Sequence, residues 1–269
     1  MPITDDELGA RFGLAQSLAR EAGARALRYL TDRERLVVEM KGSPQDVVSI
    51  ADQEIERLIR SRVAGLHPGD GFLGEEDGLR EGESGFTWVV DPIDGTSAFL
   101  NGMPSWCVSI AVLHRGTPVI GVVDAPLLGE HYAAASGRGA TLNGVPIAVD
   151  PTRTLRDMPV GFGANHHAPP ETVAAFVAAL HAQGGLFLRI GSGALMIAYV
   201  AAGRLAGYFE PYMHAWDCLA GYCLVAEAGG WHLPFPSGSG LTRGSQVLAV
   251  TPPAREELLC LAALAMAAR

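Results

Sequence analysis

The 269-residue sequence has no apolar run long enough to cross a bilayer. Its longest, residues 258–268, is about half the required length and reads as a buried or docking helix. Residues 1–7 are acidic and hold no apolar signal core, so a cytoplasmic location without membrane association is expected. Cysteine is scarce. Cys107, Cys218, Cys223 and Cys260 form neither a CxxC pair nor a zinc-type Cys/His spacing. Two disulfides are arithmetically available, but reduced, buried thiols are the expectation without a secretory signal. Basic residues are also in deficit: 20 Lys and Arg against 29 Asp and Glu leave a formal charge of −9. No basic stripe offsets that excess, which excludes a dedicated nucleic-acid surface. Taken alone, the excess also argues against an anionic substrate unless cations intervene. Internal repeats and low-complexity linkers are absent. An apolar share of 48% excludes disorder, and 33 Gly with 17 Pro make the chain rich in turns.

The pattern of what is present suggests helices and strands in alternating blocks. Thr4 with Glu7 forms a capping box ahead of Leu8, Phe12, Ala15, Leu18, Ala19 and Ala22, predicting a helix to about Leu30. A polar, turn-prone stretch follows, centred on Lys41-Gly42-Ser43-Pro44. Ser49 with Asp52 opens a second helix carrying Ile55, Leu58, Ile59 and Val63. Strand-like runs are read at 86–90, 108–113, 119–123, 131–135 and 147–149. His114-Arg115-Gly116-Thr117 marks a hairpin. Helices are predicted over 172–183, 192–202 and 215–228, with strands at 186–190, 204–209 and 246–250. This ordering is not strict βαβ and implies a layered α/β or α+β fold with mixed sheets.

Four segments share an acidic theme. Gly74-Glu75-Glu76-Asp77-Gly78 sets carboxylates in a glycine-flanked loop. In Trp88-Val89-Val90-Asp91-Pro92-Ile93-Asp94-Gly95-Thr96 two more lie three residues apart after a strand. Asp217 starts a helix after Trp216, and Asp52 stands in the first turn of the second helix. Pro92 is read as ending the strand at Asp91 and turning Asp94 back into the same space. Gly95 and Thr96 then offer backbone N–H groups of the kind that bind anions. Carboxylates and a bound phosphate coexist only with hard cations between them. Oxygen-only donors select Mg²⁺ or Mn²⁺ over Zn²⁺, and two such ions can clamp a phosphate.

These residues resemble the inositol monophosphatase family of Mg²⁺-dependent, lithium-sensitive phosphatases. The resemblance is carried by Gly74-Glu75-Glu76, by the string Trp88 to Thr96, and by Trp216-Asp217-Cys218-Leu219-Ala220-Gly221. Residues 41–52, 137–144, Gly191-Ser192 and 201–204 leading to Glu210 support it. It implies an αβαβα layered sandwich, one catalytic unit over 1–269 with approximate halves 1–150 and 151–269. It further implies that Glu75, Asp91 and the Ile93 carbonyl hold one metal, and that Asp91, Asp94 and Asp217 hold a second. Glu75 would help with a third, weaker ion. The Gly95 and Thr96 amides would bind phosphate. Asp52 and the Thr96 hydroxyl would orient the attacking water. Glu210, Ser192, Gly193 and the loop 163–166 would line the substrate pocket, and the working form would be a homodimer. No phosphoenzyme is called for, and the chain has no Asp-x-Asp-x-Thr run and no Cys-x5-Arg loop.

The departures bear on substrate rather than chemistry. Ala98 stands where the family string usually has Asn, Met196 where an acid is common, and Ser49 where Thr is common. The expected substrate is inositol monophosphate or a similar small polyol phosphate. The alternative is the amino alcohol ester histidinol phosphate, with Gly121-Val122-Val123-Asp124-Ala125-Pro126 and the missing asparagine in its favour. A bisphosphate nucleotide is weaker, because no basic pocket is evident. A catalytically silent scaffold is weaker still, since every metal-ligand position is filled. His166-His167 reads as a surface loop with diverging side chains, His214 as a packing residue, and Cys218 and Cys223 as core.

Overall fold

The computed structural model describes residues 3–32, 38–40 and 47–268; the turn-prone stretch around Ser43 lies outside them. The chain runs α1 (Asp5–Thr31), β1 (Val38–Met40), β2 (Val47–Ser49), α2 (Ile50–Leu66), β3 (Gly71–Gly74), β4 (Gly78–Arg80), β5 (Phe86–Asp94) and α3 (Thr96–Leu100). It continues β6 (Cys107–His114), β7 (Thr117–Ala125), β8 (Glu130–Ala135), β9 (Ala140–Leu142), β10 (Val145–Ile147), β11 (Val160–Phe162) and α4 (Pro170–Ala182). The remainder is β12 (Phe187–Leu188), α5 (Gly193–Ala201), β13 (Gly207–Met213), α6 (Ala215–Glu227), β14 (Trp231–His232), β15 (Ser245–Val250) and α7 (Arg255–Ala267).

Five layers result. An eight-stranded sheet is ordered β10-β9-β8-β7-β6-β5-β3-β4, with only β3 and β5 parallel. A five-stranded sheet is ordered β12-β11-β13-β15-β14 and is also mixed. Helices α1 and α2 cover the outer face of the large sheet, and α4 with α7 packs on the small one. Helices α5 and α6 lie between the sheets and touch both. The side-chain alternation of the strands sorts residues between these interfaces. In β6, Val108, Ile110 and Val112 join the core under α1 and α2, while Cys107, Ala111 and Leu113 join the central one. In β15, Val247 and Ala249 face the centre, and Leu248 and Val250 face α4 and α7.

Local signals place most of the boundaries. Thr4 and Glu7 cap α1 reciprocally: the Glu7 N–H donates to Thr4 Oγ1 at 3.2 Å, and the Thr4 N–H to Glu7 Oε2 at 3.0 Å. Arg115 and Gly116, at φ 51° and 84°, form the two-residue turn between β6 and β7. Asn143 and Gly144, at φ 51° and 80°, do the same for β9 and β10. That turn starts β10 at Val145, so the strand expected at 147–149 lies two residues earlier. The strand expected at 204–209 begins later, at Gly207, because Gly203 at φ 68° ends α5 in a turn. The strand expected at 186–190 is only Phe187–Leu188, exposed at the sheet edge. Cys107, Cys218 and Cys223 are buried free thiols. Cys260, expected to be buried, is exposed: Leu258, Leu261, Ala262 and Ala265 form the buried stripe of α7 and leave it outside.

Candidate metal centre and active-site cleft

Strand β5 does not stop at Asp91. It passes through Pro92 and pairs with β6 as far as Asp94, with Asp91 opposite Ser109 and Asp94 opposite Cys107. Three steps on β5 thus match two on β6, the signature of a one-residue bulge. In a regular strand, residues three apart point to opposite faces. The bulge removes that half-turn and brings Asp91 and Asp94 to one side, while Pro92 sits where no ladder N–H is required. The Ile93 N–H donates to Asp91 Oδ1 at 2.9 Å, holding the carboxylate over its own turn.

The central helix layer supplies the rest. Asp217 is the third residue of α6, and its Oδ2 accepts the His214 N–H at 3.1 Å. A Cβ at Gly121 of β7 would lie 2.2 Å from the Ala220 carbonyl, so only glycine lets α6 approach so closely. Asp94 Oδ2 accepts from the Ser192 hydroxyl at 2.6 Å and the Ala194 N–H at 2.7 Å, at the N-terminus of α5. Two helix N-termini therefore face the bulge, where their dipoles favour negative charge. Carboxylate oxygens of Asp91, Asp94 and Asp217 lie within 4.8 Å of one another.

Electrostatics at the three carboxylates is unfavourable. Burial, then Glu75, Asp94 and Asp217, push the Asp91 carboxyl well above its usual range. Burial, then Asp94 and Glu75, do the same to Asp217. Burial raises Asp94 to about 6 despite its hydrogen bonds. Among the described residues, no ion pair reaches any of the three. A cluster of carboxylate oxygens, two buried and one half-buried, with no ion-pair partner among the described residues is suited to a hard metal ion.

A cleft of about 850 Å³ opens over this cluster. Glu75, Asp91, Ile93, Asp94, Gly95, Thr96, Gly193, Glu210 and Asp217 all line it. Glu75 enters from the turn after β3, its N–H donating to the Val90 carbonyl at 3.3 Å. Gly95 has φ 94°, and a Cβ there would lie 3.0 Å from the Ser105 carbonyl and 3.2 Å from Ser192 Cβ, so the left-handed turn into α3 demands glycine. The Thr96 hydroxyl donates to the Ile93 carbonyl at 3.2 Å.

Two expected site residues stand outside the cleft lining. Ser192, assigned to the substrate pocket, is fully buried with its hydroxyl turned to Asp94. Asp52 is buried in the first turn of α2, where its Oδ2 accepts the Ser49 N–H at 2.9 Å and hydroxyl at 2.5 Å. Its Oδ1 is buried without a hydrogen-bond partner among the described residues. Burial raises its carboxyl to about 6.

At the other end of the cleft Glu210 is buried in β13 and pushed by burial to about 7. The Tyr208 hydroxyl donates to its Oε2, and Asn165 Nδ2 to its Oε1 at 3.3 Å. A Cβ at Gly163 would come within 2.1 Å of Glu210 Oε2, so glycine admits the carboxylate against the loop. Tyr208 was not singled out in the sequence, although two residues before Glu210 in a strand puts it on the same face. Arg189 also lines the cleft, and no local sequence pattern marks it. His166 and His167 are exposed as expected, but their rings do not diverge. Their centroids are 3.9 Å apart and His167 lies 4.5 Å from Tyr212, because the turn at Asn165 folds both toward β13. His214 caps α6 and stacks on Trp216 at 4.5 Å, lining the cleft wall.

Comparison with known proteins gives this arrangement its family. Residues 11–266 match the model of the inositol monophosphatase family. The chain is 40% identical over 225 residues to an inositol-1-monophosphatase of Rhizobium meliloti, covering 82% of this chain and 81% of that one. It is 40% identical over 219 residues to the Nus factor SuhB of Xylella fastidiosa, covering 81% and 79%. The crystal structure of the suhB extragenic suppressor protein from Bartonella henselae superposes with TM-score 0.87 at 33% identity, covering 94% and 98%. An IMPase of Thermotoga maritima superposes with TM-score 0.84 at 27% identity, covering 96% and 98%. Matched by that family's model over residues 11–266 and 40% identical to one of its curated members, the protein belongs to the inositol monophosphatase family of metal-dependent phosphoric monoester hydrolases.

Proposed function

We propose that the chain hydrolyses inositol monophosphate or a similar small polyol phosphate with Mg²⁺ as its metal. The observation that carries the reading is the triad of buried Asp91 and Asp94 with half-buried Asp217, three oxygen donors facing one another with no cationic side chain paired to them among the described residues. That donor set fits Mg²⁺, with Mn²⁺ as a substitute. Asp91, Asp94 and Asp217 would hold one ion, and Glu75, Asp91 and the Ile93 carbonyl a second. Bound there, the ions supply charge neutralisation and Lewis-acid polarisation of the phosphoryl group.

The chain's own groups do the rest. The Gly95 and Thr96 N–H groups hold phosphate oxygens at the left-handed turn. Asp52, set behind the lining, would help orient the attacking water through Oδ1, the oxygen with no partner among the described residues, together with the Thr96 hydroxyl. Glu210 Oε1, with a lone pair left beside the Asn165 amide that donates to it and to the Tyr212 carbonyl, accepts from a hydroxyl of the alcohol. Ser192 serves this site through Asp94, and the Gly193 backbone lies against the substrate. The family resemblance implies a homodimer, and a monomer mass by light scattering would overturn that.

Asp91→Asn is expected to reduce Mg²⁺-dependent phosphate release by about 10³-fold or more while the chain stays folded; surviving activity sinks the metal assignment. For substrate, kcat/KM is compared across inositol-1-phosphate, histidinol phosphate, fructose-1,6-bisphosphate and an adenosine bisphosphate. Inositol-1-phosphate is expected to rank first, and histidinol phosphate above the polyol esters would overturn the reading.

A further inference from the structure

Helix α2 carries two buried carboxylates one turn apart, Asp52 and Glu56. The second is fully buried and stands behind the cleft wall rather than in it. A buried carboxylate is costly unless its lone pairs are filled, and Glu56 fills them in a particular way. Its Oε2 accepts the Glu76 N–H at 2.7 Å and its Oε1 the Asp77 N–H at 3.0 Å. Arg60 Nη2, one turn on, donates to Oε1 at 2.9 Å and also to the Gly78 carbonyl at 2.8 Å. The Arg60 guanidinium lies over the Phe72 ring, 4.4 Å from its centre. One ion pair on α2 thus ties both sides of the turn that joins β3 to β4.

That turn carries Glu75. On one side its backbone is bonded to Val90, the neighbour of Asp91. On the other, the next two N–H groups are held by Glu56. The fit leaves no spare room, since a Cβ at Gly74 would sit 2.2 Å from the Glu56 carboxyl carbon. If the pair only stabilised the fold, an apolar pair of similar volume would do as well. An apolar pair would not hold two successive amides in register beside Glu75.

We propose that Glu56, paired with Arg60, is a positioning residue that holds Glu75 at the metal centre. The inference rests on the reading of Glu75 as a metal ligand, and the test separates the two. Mn²⁺ alone is titrated into the metal-free protein and followed by electron paramagnetic resonance, for wild type, Glu56→Gln, Glu75→Gln and the double variant. Circular dichroism checks the fold of each. Glutamine at 56 offers one acceptor where two amides and a guanidinium converge, so Mn²⁺ affinity should fall by about 10- to 100-fold, the range for groups that orient metal ligands. Once Glu75 is already Gln, Glu56→Gln should cost almost nothing further, because the residue it positions is gone.

A folded Glu56→Gln with wild-type affinity, or two losses that simply add, overturns the proposal. Wild-type affinity in Glu75→Gln instead removes Glu75 from the ligand set, and the site reading fails with it. If Glu56→Gln does not fold, Arg60→Lys replaces it in the same cycle. A lysine cannot bridge Glu56 and the Gly78 carbonyl as the fork does, and additivity there is equally decisive against the proposal.

Discussion

Two buried aspartate sites in this molecule are treated in opposite ways. Asp70 is 1% exposed and meets Arg11 Nε at 2.8 Å, Arg11 Nη2 at 2.7 Å, Ser84 Oγ at 2.7 Å and Trp88 Nε1 at 2.9 Å. Burial alone would raise its carboxyl, but those donors outweigh burial and hold it below the ordinary value. Asp91 and Asp94 are also buried and Asp217 is half-buried, yet the three face one another, and desolvation drives all of them upward. The first site is complete in the protein alone. The second gathers like charges that only a cation would offset, and it could hold a metal ion. Unpaired burial of this kind marks a functional site better than burial itself does.

Substitution should separate the sites most sharply. Asp70→Asn leaves Arg11 buried without its partner and should cost about 3–5 kcal/mol of stability, read by chemical denaturation, with full activity per folded molecule. Asp91→Asn removes a repelling charge, so in EDTA its melting temperature should equal or exceed that of wild type even as activity is lost. A fall in melting temperature as large as that of Asp70→Asn would erase the contrast.

The pH dependence should have opposite signs. Asp94 rises from 3.8 to about 6 on folding. Below the lower value it is protonated in folded and unfolded chains alike. Between the two values the folded, metal-free chain keeps a proton that the unfolded chain has lost, so stability falls as pH rises toward the upper value, by on the order of 3 kcal/mol. Asp70, with its lowered carboxyl, contributes stability above the ordinary aspartate range and loses it as pH drops into acid. The rise in melting temperature produced by Mg²⁺ should therefore grow between about pH 5 and 7; a shift constant over that range would contradict the assignment.

Smaller effects probe how the metal end is held and how the substrate end differs from it. Ser192→Ala removes the shortest anchor of Asp94 and should weaken Mn²⁺ binding about tenfold, with KM for the ester changed little once metal saturates. Glu210→Gln should do the reverse, raising KM for inositol-1-phosphate several-fold, about 1 kcal/mol, and leaving Mn²⁺ affinity intact. Equal effects of the two variants on metal and substrate would dissolve the distinction between the cleft's ends.

Much of this was legible because it is local. Thr4 with Glu7 and Ser49 with Asp52 set helix starts within four residues, and Arg115-Gly116 sets a hairpin. Asp91 to Thr96 carries ligand chemistry and an anion-binding turn in six consecutive positions. Pro92 misled the reading of β5, because a proline that ends a ladder and one that sits in a bulge look alike until the partner strand is known. The family resemblance places Ser192 at the substrate pocket, and its hydrogen-bond partner Asp94, 98 positions away, is not visible in the sequence. Glu56 gave no signal, since an acidic residue between Ile55 and Arg57 resembles any solvated helix position.

The sequence by itself determined the inventory: oxygen donors in place of sulfur or imidazole, a glycine at the left-handed turn, helices and strands whose alternation implies layered sheets, and a family. Tertiary structure decided which of those groups share a space and on what terms. Whether a buried carboxylate is satisfied depends on donors brought from distant segments: Arg11 and Trp88 come to Asp70, while Asp91 and Asp94 meet Asp217. Short-range chemistry can name a ligand, but only the packed chain sets the distances and the desolvation that make the cluster suited to a cation.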